Sequence, residues 1–284
     1  MKKPLKGKFA LKLLTLSSLI LGFSTFLLEA TVSASEPIKA TIEFSRSLPA
    51  LGDEYADGAQ FKIQSAKVAQ QTLKWRRVPK WLAGVWHTEF TSVNVLGIPI
   101  RYPTKSDFIS GYQQDAKGHI WHPIINRVSR VDGETYYEYQ IPQGDQLFEV
   151  DKETSTRYTR STRVRVNKAS GRIITSFQQE DIAVTRPVQE GVVEVNANCC
   201  VFNKAGQKVK EQNISVVEER IAPFHPIDSH GGINFVESLA SFLKAEEKAQ
   251  WIPPARELIA PSQIQSRILA TEDANSKLMD GVPK

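Results

Sequence analysis

The sequence predicts an all-β fold: an up-and-down antiparallel β-barrel of about nine strands, followed by a C-terminal amphipathic helix. Three observations carry that expectation. From Gly84 to Ile221 the chain reads as short runs in which apolar and polar residues alternate, the period of a strand with one covered face. Turn signals punctuate those runs. Nearly every connection between them is short, so neighbours in sequence should pair in space, and a long meander hides its edges most simply by closing.

Taken in order, the chain begins with a targeting pattern. Five lysines and no acid lie in residues 1–12, an uncharged apolar run follows over 13–28, and Val32-Ser33-Ala34 precedes Ser35-Glu36-Pro37. This reads as a secretory signal over residues 1–34, cleaved after Ala34, with an uncleaved N-terminal anchor as the alternative. Lysines without paired arginines favour the general secretory route, and hence a periplasmic, extracellular or equivalent lumenal compartment. Without residues 1–34 the chain holds 31 basic against 30 acidic residues. The high pI therefore belongs to the targeting segment and gives no support for a nucleic-acid partner.

Residues 35–80 read as an extended or partly ordered lead-in, with one modest helical candidate from Gln60 to Trp75. Lys74-Trp75-Arg76-Arg77 reads as a solvated junction, or as a weak contact with an anionic membrane surface. The barrel candidate spans 81–222, with strands expected near 84–95, 106–114, 119–128, 134–141, 146–151, 155–167, 172–184, 191–202 and 207–221. Asp115-Ala116-Lys117-Gly118, Asn167 to Gly171 and Asn203-Lys204-Ala205-Gly206 each open on Asp or Asn and close on Gly, as a type I turn with a following positive φ requires. Val131-Asp132-Gly133-Glu134 is a hairpin signal. Residues 223–271 form a loop and helices. Asn234 caps a helix to Lys248 whose stripe is Phe235, Leu239, Phe242 and Leu243, and which should lie on the barrel's outside or across one mouth. Shorter helical stretches fall near 255–260 and 262–271, and the polar end, 272–284, reads as disordered.

Alternation divides each strand into faces. Trp86, Phe90 and Leu96 oppose His87, Glu89 and Thr91; Tyr137, Tyr139 and Ile141 oppose Glu134, Glu138 and Gln140; Tyr158, Thr162, Val164 and Val166 oppose Arg157, Arg163 and Arg165. The charged faces argue against an outer-membrane barrel. The two cysteines, Cys199 and Cys200, are adjacent, so disulfides do not hold the fold together; one should be buried and one should sit on the polar face. His119 and His122, three apart on a strand, face opposite sides and cannot share a metal, and the loop His225 to Gly232 lacks a nucleophile turn. The sequence thus assigns no catalytic residue, metal ligand or cofactor.

The step Gly84-Val85-Trp86 resembles the Gly-x-Trp opening of lipocalins and their relatives in the calycin group, over residues 84–247 at most; the family's Thr-Asp-Tyr turn motif is absent. The resemblance implies that Trp86 packs at the closed end of a barrel with Arg220 covering it. If the apolar faces point inward, Phe90, Tyr137, Tyr139, Tyr158, Val164 and Phe177 line the interior. That lining suits a small hydrophobic ligand, such as a lipid, pigment or isoprenoid. The alternatives are a filled barrel acting as a scaffold or assembly factor for a protein or membrane partner, and a lipocalin-like enzyme on a lipophilic substrate. Oligomeric state has no sequence signal.

Overall fold

A computed structural model describes residues 43–62, 73–95, 98–126, 128–144 and 146–280. The expected signal segment and its cleavage point lie outside these residues, as does most of the helical candidate that starts at Gln60. In chain order the strands are β1 (Lys74–Val78), β2 (Gly84–Val95), β3 (Ile98–Ser110), β4 (Gln113–Gln114), β5 (Ile120–Ile124), β6 (Ser129–Asp132), β7 (Tyr136–Pro142), β8 (Leu147–Val150), β9 (Ser155–Asn167), β10 (Ile173–Gln189), β11 (Val192–Phe202), β12 (Lys208–Ala222), β13 (Ser229–His230) and β14 (Ile233–Asn234). Two α-helices follow, α1 (Phe235–Ala245) and α2 (Gln263–Asp280).

The fold is mostly β, and its main element is one curled antiparallel sheet of nine strands. The order is β3-β2-β12-β11-β10-β9-β7-β6, with β8 also paired to β9. The last long strand pairs with the first, Ile214 opposite Val93 and Arg220 opposite Trp86, which is the join an up-and-down barrel makes. Closure stops there. β3 and β6 are the two edges and do not pair, so the sheet is a half-barrel.

The chain leaves the meander between β3 and β6 to build a second sheet, β1-β5-β4. Lys74-Trp75-Arg76-Arg77, read from sequence as a solvated junction, is its edge strand: Trp75 is fully buried and Arg76 nearly so. Helix α1 packs on this sheet rather than on the barrel wall or mouth. Asn234 accepts from the Glu237 N–H at 3.2 Å and caps it. Its Phe235, Leu239 and Leu243 then join Trp75, Tyr112 and Trp121 in the largest apolar cluster. Trp75 Nε1 also donates to Ser238 Oγ at 3.1 Å. Each of these large side chains contributes roughly 1.5–3 kcal/mol on burial, and Val85 and Ile109 tie the cluster to β2 and β3 of the main sheet.

Helix α2 lies against both β3 and β6, across the opening that the unpaired edges leave. It runs to Asp280, where the polar composition after Glu272 predicts disorder. Its buried Ile268 and Leu269 join the same core as Ile109 of β3. Asp228 anchors the segment leading to it. Fully buried, Asp228 accepts from Gln113 Nε2 at 2.8 Å, from both Arg256 Nη atoms and from the Ile259 N–H. Burial alone would raise this carboxyl, yet those donors hold it below the usual range.

Candidate binding trough

Register separates the two faces of the main sheet. Arg157 lies opposite Ala183, Ala183 opposite Ala197, Ala197 opposite Ile214, and Ile214 opposite Val93, so these five share one face. The same face carries Ser161, Arg163 and Arg165 on β9, Gln179 and Asp181 on β10, Cys199 on β11, Glu218 on β12 and Glu138 on β7. The sheet curls toward it. Val93 of β2 and Ala183 of β10 belong to one apolar cluster although β12 and β11 stand between them. Arg157 likewise lies within electrostatic reach of both Asp181 and Glu218. The inner face is therefore a trough with a small-residue floor and a wall of charged side chains.

The other face is covered along β7 and β9–β11 by the lead-in, which forms a strap over residues 43–62. Leu48 N–H donates to Gly206 O at 2.9 Å, and Phe61 N–H to Gly171 O at 3.1 Å. Gly206 is required at this crossing, because its φ is +78° and a Cβ there would stand 1.7 Å from Leu48 O. Beneath the strap, Ser45 donates through N–H (2.8 Å) and Oγ (2.7 Å) to Glu180, which also accepts from Tyr158 and Arg160. Burial would raise Glu180, but these donors hold it below the usual carboxylate range. Cys200 is sealed here with Leu48 and Phe202, so both cysteines are buried, and the one expected on the polar face lies beneath the strap.

This arrangement reassigns most of the residues expected to line the interior. Tyr137, Tyr139 and Val164 sit together on the outer face and pack with Phe61 under the strap, the Tyr139 and Phe61 rings 4.5 Å apart. Tyr158 shares that face and donates its hydroxyl to Glu180. Phe177, opposite Arg163, lies on the trough side. Phe90 sits in a β-bulge of β2, is exposed, and lies beneath the Arg101 guanidinium at 4.4 Å. That bulge also moves Thr91 to the face of Trp86. The six do not form one lining.

Trp86 is fully buried at the far end of the trough from the β2–β3 connection, among Leu82, Phe108 and Val193. Its Nε1 donates to Leu82 O at 2.9 Å. The Arg220 guanidinium lies 5.3 Å from the centre of its ring and donates to Trp81 O. Gly84 has φ +142°, and a Cβ there would lie 2.6 Å from Ala222 O, so the chain can pass this corner only as glycine.

The acids of the trough are largely engaged. Glu138 accepts from Arg165 Nε at 2.7 Å and Arg163 Nη1 at 3.4 Å. Asp181 accepts from Gln179 Nε2 at 2.8 and 3.0 Å and from the Cys199 thiol. Burial raises Asp181 above its ordinary range and pushes the Cys199 thiol far above its own, which favours the protonated sulfur. Burial also pushes Glu218 up to about 8 and Arg157 down to about 10. At neutral pH Glu218 is then protonated and Arg157 charged. Among the described residues, Arg157 Nε and Nη1, Arg163 Nε and Nη2, Gln179 Oε1, Ser161 Oγ and Glu218 Oε2 are enclosed without a hydrogen-bond partner. Near the opposite end, a depression of about 330 Å3 opens between Asn94, Glu211, Gln212 and Asn213. Gln212 stands opposite Cys199 on the trough face.

Sequence reasoning passed over these residues because it took the charged side of β9 for the solvent side. Glu138 stands in register with Arg165, and Arg163 with Gln140, across β7 and β9, but matched charges alone do not mark a covered face, since Arg186 and Glu194 pair across β10 and β11 while Arg186 is exposed. No protein-family model, curated protein or solved structure matches the chain.

Proposed function

We propose that this chain is an exported binding protein that holds a small molecule in the trough of its half-barrel. One observation carries the reading: the inner face encloses guanidinium, amide and hydroxyl groups that protein partners leave unmet. Buried polar groups are ordinarily satisfied, and each one left open costs about 1–3 kcal/mol. A polar ligand group meets that requirement. The floor of Val195, Ala197, Ile214 and Val216 gives an apolar surface for the rest of the molecule, so the lipophilic ligand expected from sequence becomes an amphipathic one. The lipocalin resemblance stays with this proposal, supported by Arg220 over Trp86 at one end of a meander whose last long strand pairs with its first.

The test is extraction and mass analysis of the protein purified from its own host. A stoichiometric small molecule is expected; a chain that is repeatedly empty and fails to bind amphipathic probes would sink the reading. An assembly-factor role is the second reading, favoured by the uncovered outer side of β12, where Val217 and Ile221 are exposed.

A further inference from the structure

We infer that the trough takes a ligand with an acidic head group, a carboxylate or a phosphate, and that Arg157 receives it. This rests on the trough being a ligand site. Arg157 is only 5% exposed and stands on the inner face between Ala183 of β10 and Phe148 of β8. Two of its guanidinium nitrogens have no hydrogen-bond partner among the described residues, and no carboxylate there lies within ion-pair distance of it.

The neighbouring acids leave those two nitrogens unmet. Glu138 is bonded to Arg165 and Arg163, while Asp181, within electrostatic reach of Arg157, is bonded to Gln179 and Cys199. Glu218, the remaining acid of the trough, is kept protonated at neutral pH by its burial. Arg157 is thus an enclosed cation to which no anion is bonded, an unfavourable state for a buried charge. A neutral ligand leaves that cost in place and a cation adds to it. An oxyanion relieves it, because carboxylate and phosphate both match the guanidinium fork. Arg163, on the same face with two open nitrogens of its own, adds to the positive field at that head group.

Binding of decanoate, decyl phosphate and decanol to the full chain tests this, because the three probes share a tail and differ in the head. Calorimetry on wild type, Arg157→Met, Arg157→Lys and the surface control Arg186→Met supplies the comparison. Both acids are expected to bind about tenfold or more tightly than decanol. That preference is expected to vanish in Arg157→Met, to persist in part in Arg157→Lys and to be unchanged in Arg186→Met. The stronger of the two acids identifies the head group. Decanol binding as tightly as the acids overturns the acidic-head inference while leaving the trough a ligand site. Full acid preference in Arg157→Met overturns the role of Arg157. Failure of all three probes to bind wild type overturns the trough reading itself. Should Arg157→Met not fold, the wild-type ratio of acid to alcohol still decides the first point.

Discussion

Replacing Glu218 with Gln separates a buried acid held neutral from one held as an ion pair with Arg157. Glu218 is 2% exposed, and burial raises its carboxyl from 4.5 to about 8. Between those values the native protein keeps a proton that the unfolded chain releases. The sign follows: this group's contribution is fully present below about 4.5, falls as pH rises through the window, and levels off above about 8. Each pH unit inside the window costs about 1.4 kcal/mol. Glutamine has the same shape and nothing to ionise. The stability of Glu218→Gln relative to wild type should therefore grow by roughly 2–3 kcal/mol between pH 5.5 and 7.5. Urea unfolding at several pH values measures it. His122, whose burial beside Arg76 pushes it well below the ordinary histidine range, works in the opposite sense below about 6.5, but it is common to both proteins and cancels. A difference that stays flat with pH would show Glu218 ionised in the native state and would refute the reasoning.

Three further substitutions probe the frame around the trough. Gly206→Val puts a side chain against Leu48 O at a positive φ; a loss of roughly 1–3 kcal/mol and faster proteolysis within residues 43–62 are expected, and an unchanged digest would argue against the strap. Asp228→Ala leaves Gln113 Nε2 and the Ile259 N–H short of an acceptor; about 2–3 kcal/mol should be lost, with faster hydrogen exchange over 256–270, and unaltered exchange there would contradict the anchor. Tyr139→Ala empties the contact with Phe61 under the strap; thermal unfolding should show a loss of about 3–5 kcal/mol, whereas a near-neutral result would mean the outer face is not packed.

Most pairings of the meander were legible, because period-two alternation and short turns specify which strands meet. Tyr137, Tyr139 and Val164 do share a face, as the alternation implies, and Asn234 does cap a helix with the expected apolar stripe. Which face points inward was not legible. Alternation reports that two faces differ and carries no information about what covers each, and here the strap over residues 43–62, upstream of every strand of the main sheet, covers the apolar one. The Phe90 bulge was hidden for a related reason, since one extra residue reverses the parity of everything beyond it. β1 was missed because Lys74, Arg76 and Arg77 outweigh Trp75 and Val78 in composition, while pairing to β5 decides the conformation. α2 likewise continues past Glu272 to Asp280, against the polar composition of that stretch.

The central claim is that the curled sheet turns a charged face inward and leaves Arg157 open to an anion. A crystal soaked in bromide tests it directly, because a heavy halide marks unpaired cations by its anomalous signal. A bromide within hydrogen-bond reach of Arg157 Nε or Nη1, inside the trough, is the expected result. Arg157 paired to a protein carboxylate, with bromide confined to the outer surface, would contradict it.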